Sequence, residues 1–177
     1  VIDYSVIDRA GHKIGYLCYS GFVSKSIGRL KEVFSTFQQQ QVTDIILDLR
    51  YNPGGEVSTM AKLCSMLAPK SAEESHSVPQ TRIYNKEYTE YLRQTGTDMS
   101  DYFDPSVAVN LNGLPLYTLT GSGTASASES LILCLKPYMS VKQVGSSTAG
   151  KYCGGSLLQP AVQQGGQLVP DPEIGNW

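Results

Sequence analysis

The chain has 177 residues, of which 41% are hydrophobic and 17% charged, enough apolar mass for one domain with a proper core. Against 16 acidic residues stand 14 basic ones, for a net charge of -2; the basic residues are scattered, which excludes a phosphate-tracking stripe and with it nucleic acid as a partner. No apolar stretch approaches the ~18 residues of a membrane helix, and the chain opens on Val1 with no leader-like start, as expected of a domain excised from a longer protein.

In chain order, "IDYSVID" and "KIGYLCYS" predict two strands around a turn that contains Gly11. Ile27, Leu30, Val33, Phe34 and Phe37 recur at helical spacing from Ser24 to about Gln40, with Ser24 or Ser26 as the cap. "TDIILDL" predicts a short strand apolar enough to be buried on both faces. It leaves through "RYNPGG" into a helix whose stripe is Val57, Met60, Ala61, Cys64 and Leu67, ended by Pro69. Between Lys70 and Asn112 the pattern is weak: "NKEYTEYLRQ" predicts a short helix and "GTDMSDYFDPS" a surface loop. Order returns with the strand "LPLYTLT", the helix "SASESLILCLKPY" closing near Pro137, the strand "SVKQVG" and a Gly- and Pro-rich tail. Strands alternating with helices imply α/β construction with crossover connections and no domain boundary. Shifts of composition near Ser75 and Leu157 fit loops left out of the sequence as given.

Cys18, Cys64, Cys134 and Cys153 are far apart and form no C-x-x-C pair, which argues against a zinc or dithiol redox site; the first three sit in apolar patterns and read as buried thiols. Of the two histidines, His12 falls in the hairpin turn and His76 in a Ser-rich loop, each a solvated residue rather than the base of a serine triad. H-E-x-x-H, G-x-S-x-G and S-x-x-K are absent. "GSGTAS" lacks the third glycine of a dinucleotide loop, and "AGK" runs into Tyr152 where a phosphate loop needs a hydroxyl.

Three stretches remain. "GTASASES" puts alcohols at a strand-to-helix turn, where Ser126 and Ser128 would point about 200° apart, so only one can face a cleft. A helix N-terminus suits a nucleophile, since its free N–H groups stabilise an oxyanion; taken alone, the same letters read more readily as a serine cap with small residues for tight packing. "GSSTAGKYCGG" places Lys151 among small polar residues. A lysine is a general base only when neutral, which costs about 4 kcal/mol at roughly pH 7, and a surface lysine in a turn is the plain alternative. "ILDLRYNPGG" makes a turn in which Gly54 and Gly55 let backbone N–H groups approach a ligand, or simply connects strand and helix.

Together, "ILDLRYNPGG", "GSGTASASES" and "VGSSTAGK" resemble, in order and spacing, the catalytic domain of the C-terminal processing peptidases, also called tail-specific proteases. The resemblance covers most of the chain, with the first hairpin and "LVPDPEI" similar to the family's opening strands and closing segment. It implies an α/β fold with a ClpP/crotonase-like core, a mixed sheet with crossover helices, over a single catalytic domain of residues 1–177. It also implies a serine endopeptidase with Ser126 as nucleophile, Lys151 as general base, and an oxyanion hole from the backbone of Ala127 and of Gly54 or Gly55. No cofactor or metal is implied. The implied partners are protein or peptide substrates with apolar C-termini and a PDZ-like domain outside this chain, and the implied location is extracytoplasmic.

Two departures touch the base. Gly155 stands where many members have a glutamine that orients the lysine, and Tyr152 replaces a small residue beside it; Ser147 and Thr148 are candidates to orient Lys151 by proximity in sequence. Glu129 matches the motif's acid and reads as a first-turn residue favouring the helix dipole, and Arg50 as half of a structural ion pair. The rival readings are a catalytically silent peptide- or ligand-binding domain on the same fold and, further off, a crotonase-like acyl-CoA enzyme, which leaves Lys151 unexplained.

Overall fold

The computed structural model describes residues 2–155 and 161–170. Strands β1 (Ile2–Arg9) and β2 (His12–Tyr19) pair antiparallel around Ala10 and Gly11, both at positive φ, as a two-residue hairpin requires. Helix α1 (Ile27–Gln39) buries Leu30, Val33, Phe34 and Phe37 completely, each contributing about 1.5–3 kcal/mol of apolar burial. Its expected serine cap is not made. A 3-10 turn over Ser24–Ser26 leads in, and Ser26 already has a helical backbone, so its hydroxyl donates to Val23 O at 2.6 Å and meets the Tyr19 hydroxyl at 2.7 Å.

Strand β3 (Asp44–Asp48) follows, then α2 (Val57–Leu67), which Pro69 ends as expected, and a short α3 (Lys70–Glu74) that its composition did not signal. Two-residue strands β4 (Gln80–Thr81) and β5 (Ser100–Asp101) pair across α4 (Lys86–Gln94), so the stretch expected to be only a surface loop carries a small ladder. Then come β6 (Leu116–Thr120), α5 (Ala127–Leu135), ending just before Pro137, and β7 (Val141–Gly145). The Gly- and Pro-rich tail contains an antiparallel pair, β8 (Ala161–Gln164) and β9 (Gln167–Pro170). Of "LVPDPEI" only residues 168–170 fall within the described residues; the rest of it, and the composition shift near Leu157, lie outside them.

The main sheet has the order β1-β2-β3-β6-β7, antiparallel at β1-β2 and parallel elsewhere. The architecture is therefore mixed α/β, with α1, α2 and α5 on the crossovers. Leu17 and Tyr19 of β2, Ile45 and Leu47 of β3 and Leu116 of β6 join the buried stripes of those helices in one core. The expectation that β3 is buried on both faces holds only in part. Ile45 and Leu47 are in the core, whereas Ile46 on the other face is half-buried, flanked by Asp44 and Asp48, which hold ion pairs with His12 and Arg50. Two other expectations also shift. Val57 is 45% exposed because α2 begins at the open end of the sheet, and Cys18 is half-buried, while Cys64 and Cys134 are buried free thiols as expected. Among the described residues no helix is long and apolar enough to cross a membrane.

Candidate active site

Because β3, β6 and β7 run parallel, the segments leaving their C-terminal ends gather along one edge of the sheet, where open α/β sheets bind ligands. These segments are 49–56, 121–126 and 146–151, the same three that the motifs singled out.

The first is fixed by buried polar groups. Asp48 receives Arg50 Nη2 at 2.6 Å, Arg50 Nε at 2.9 Å and the Tyr16 hydroxyl at 2.8 Å, so Arg50 is half of an ion pair, as expected. Burial pushes the Asp48 carboxyl up, but these donors outweigh it and hold it below the ordinary carboxylate range. Asn52, fully buried, donates through Nδ2 to Tyr19 O at 2.9 Å and accepts from Gly54 N–H through Oδ1 at 2.9 Å. Gly54, at φ +105, lies so close to the start of α5 that a Cβ there would come within 2.8 Å of Ser126 Cβ and 2.9 Å of Ala127 N. Phe22 N–H donates to Gly54 O and Glu56 N–H to Phe22 O, each at 2.9 Å; in a parallel bridge of this kind the N–H of the central residue, Gly55, points away from Phe22. Of the two glycines proposed for the oxyanion hole, Gly54 thus spends its N–H on Asn52.

The second segment resolves the crowd of alcohols. Thr120 Oγ1 donates to Ser146 O at 3.0 Å, Thr124 Oγ1 to Leu49 O at 2.7 Å, and Ser128 Oγ to Asn52 O at 2.9 Å, and all three residues are buried. Thr124 and Ser128 lace the start of α5 to the segment after β3, and Thr120 ties the end of β6 to the segment after β7. Ser128 is the serine that turns inward. Ser126 is half-buried at the N-terminus of α5 with φ 57 and ψ −119, a conformation that costs a non-glycine residue about 1–3 kcal/mol and persists only where the surroundings over-determine it. Here they do: Ala125 N–H donates to Asn52 O at 3.2 Å, Ser126 N–H to Glu129 Oε2 at 2.7 Å, and Ser130 N–H to Ser126 O at 2.9 Å.

The third segment is tied point by point. Ser146 N–H donates to Thr120 O at 3.2 Å and Ala149 N–H to Thr124 O at 2.9 Å. The next two amides go to one side chain: Gly150 N–H to Glu129 Oε1 at 2.7 Å and Lys151 N–H to Glu129 Oε2 at 2.9 Å. One carboxylate oxygen therefore holds the main chain of both Ser126 and Lys151, and their amide nitrogens can be no farther apart than the 2.7 and 2.9 Å arms laid end to end. The four-carbon stem of a lysine spans such a gap. The Lys151 side chain is exposed, and among the described residues no hydrogen bond joins it to Ser126. Burial pushes the Glu129 carboxyl up, but the Thr148 hydroxyl and the N–H groups of Gly150, Ser126 and Lys151 outweigh it and hold it below the ordinary range. The reading of Glu129 as a helix-dipole residue is corrected to that extent. It is the third residue of α5 as expected, and it also binds the distant loop, which spacing could not show.

The histidines lie elsewhere. His12 pairs through Nδ1 with Asp44 at 2.7 Å, at the N-terminal end of β3, the opposite end from the gathered segments. His76 stands edge-on to Tyr102 in the connection after α3. Among the described residues no group of three or more His, Cys, Asp or Glu could hold a metal. Sequence reasoning missed Asn52 and Thr124 as the residues that shape the site; a polar residue buried between a strand end and a Gly-Gly turn was the signal available for Asn52.

Comparison with known proteins accords with this geometry. The chain is 30% identical over 166 residues to a CtpA-like serine protease of Staphylococcus epidermidis, across 89% of this chain and 30% of the relative. It is 24% identical over 155 residues to the carboxy-terminal processing protease CtpB of Bacillus subtilis, across 88% and 28%. A crystal structure from Bacteroides fragilis assigned to the S41 proteases superposes with a TM-score of 0.76 at 30% identity, over 92% of this chain and 41% of that one. The chain thus spans under a third of the length of these two curated relatives. The family model of peptidase family S41 matches residues 13–168, and the chain belongs to that family.

Proposed function

We propose that this chain is the catalytic domain of a serine endopeptidase in which Ser126 is the nucleophile and Lys151 the general base. The observation that carries this reading is the strained Ser126 at the head of α5, with the main chain of residue 151 held on the same carboxylate oxygen. Ser126 Oγ attacks the peptide carbonyl carbon as its proton passes to a neutral Lys151 amine. The negative charge that develops on the carbonyl oxygen is met by the Ala127 N–H, at the positive end of α5, and by the Gly55 N–H, since that of Gly54 is engaged. Collapse of the tetrahedral intermediate breaks the C–N bond, the lysine ammonium returns the proton to the departing amine, and an acyl ester remains on Ser126. Water activated by the same amine then releases the acid. The amine is solvent-exposed in the free chain, so binding of substrate, or a further part of the protein, must exclude water from around it.

The relative named as a carboxy-terminal processing protease supports substrates cleaved near their C-termini; apolar terminal residues on those substrates are part of the proposal. Capture of the substrate tail by a PDZ-like domain outside residues 1–177, and action outside the cytoplasm, complete the proposal. The test is cleavage of an unfolded protein ending in apolar residues by the full-length protein, beside Ser126→Ala and Lys151→Ala. Each substitution should lower kcat by about 1,000-fold or more with the fold intact. Equal cleavage by all three would sink the assignment, and binding of substrate without cleavage by the unsubstituted protein would favour the silent-domain reading.

A further inference from the structure

The proposed base lacks the anchors a base ordinarily has. Among the described residues no hydrogen bond or ion pair fixes the Lys151 amine; position 155 is a glycine without a side chain, and Tyr152 is 99% exposed. What the structure fixes instead is the lysine's main chain. The strap after β7 is pinned at Ser146 and Ala149 to the β6–α5 connection, and its next two amides converge on Glu129. Gly150, at φ +77, permits that convergence, because successive N–H groups point into one concavity when a left-handed residue stands between them.

We propose that Glu129 is the positioning residue of the dyad: its carboxylate sets the separation of Ser126 and Lys151 by holding the main chain of both. This rests on the Ser126–Lys151 reading above. An ionised carboxylate offers about four acceptor sites. Three take the N–H groups of Ser126, Gly150 and Lys151, and the Thr148 hydroxyl helps to hold the carboxyl low. Every one of these donors belongs to the nucleophile, to the base or to the strap carrying the base.

A helix-capping residue would not need this. At the third position of a helix, glutamine completes a capping box as well as glutamate does, and aspartate suits the helix dipole equally. A clasp is more demanding. Glutamine has one oxygen, and its NH2 group would face an N–H donor; aspartate keeps the charge but is one methylene too short to reach both α5 and the strap. The two roles therefore diverge for the same pair of substitutions.

The experiment uses the full-length protein and the unfolded substrate above. Glu129→Gln and Glu129→Asp are each expected to lower kcat by about 100-fold, the scale of a small displacement of reacting groups, with KM changed by no more than about twofold. Exchange of the Gly150 and Lys151 amide protons should quicken in both. In a Lys151→Ala background, Glu129→Gln should cost much less than it does in the parent, because only its hold on Ser126 is then left to lose. If either Glu129 variant keeps kcat within about threefold of the parent, or if activity falls only in step with the thermal midpoint and returns on cooling, the carboxylate is merely a cap and the proposal fails. Should Glu129→Gln not fold, Glu129→Asp decides alone. If Ser126→Ala or Lys151→Ala cleaves like the parent, the dyad reading falls and this inference with it; if they are dead while the Glu129 variants are not, only this inference falls.

Discussion

Ser126 and Lys151 are held in opposite ways. Ser126 is half-buried and strained, and its main chain is over-determined by hydrogen bonds: Asn52 O takes the Ala125 N–H behind it, Glu129 takes its own N–H and Ser130 N–H donates to its carbonyl, while Gly54 leaves no room for a side chain beside it. Lys151 sits on a strap whose side chains are largely exposed and whose main chain is caught at Ser146, Ala149, Gly150 and Lys151 by single hydrogen bonds. A nucleophile must be aimed before substrate arrives. A base that has to lose its water can be completed afterwards, provided its backbone is already in place. The fixed half should therefore fail through steric and packing changes, and the tethered half through changes in hydrogen bonding that leave stability almost untouched.

Gly54→Ala tests the fixed half most severely. The new methyl would meet Ser126 Cβ at 2.8 Å and Ala127 N at 2.9 Å from a φ of +105, so both the turn and the start of α5 must move. The expected result is a loss of about 3 kcal/mol in urea unfolding and loss of Ser126 labelling by a serine-reactive fluorophosphonate. A folded variant that labels at the parent's rate would show that the contact is loose. Ser128→Ala, next in size, removes the hydroxyl that binds Asn52 O at 2.9 Å inside the core, and should lower stability by about 1–3 kcal/mol. Catalysis should persist below the new melting temperature, since that serine faces away from the cleft.

Acid sharpens the comparison with a sign. The carboxyls of Asp48 and Glu129 are held below their unfolded values, so each contributes stability that is complete above the ordinary carboxylate range and is lost as pH falls through the folded value. Urea midpoints should be flat from roughly pH 8 to pH 5 and decline below about pH 4. In Asp48→Asn part of that decline should disappear; an unchanged acid limb would mean that the Arg50 pair contributes nothing. The smallest effect belongs to the tethered half: Tyr152→Gly, at a side chain 99% exposed, should shift stability by no more than about 0.5 kcal/mol.

Much of the fold is legible in the amino-acid order because apolar periodicity is a local signal. The stripe of α1 and the alternation of β1 and β2 announce themselves, and Pro69 and Pro137 mark the helix ends. The weak points are elements too short to have a period, such as α3 and the β4–β5 ladder, and the cap of α1, where Ser26 finds the Tyr19 hydroxyl instead. At the site, the order of motifs marks which segments matter, yet it cannot say which alcohol turns inward or which glycine N–H is already taken.

The amino-acid order alone determined the α/β alternation, the crossover connections that follow from it, and which three segments carry the motifs; that they share one edge of the sheet follows from the parallel pairing of β3, β6 and β7. Tertiary structure alone decided that Asn52 reaches back to Tyr19 O, that Ser128 binds the turn after β3, and that Glu129 reaches residues 150 and 151. The reason is physical: periodicity and turn propensity act over a few residues, whereas a hydrogen bond across more than twenty residues exists only once the packed core has brought its donor and acceptor together.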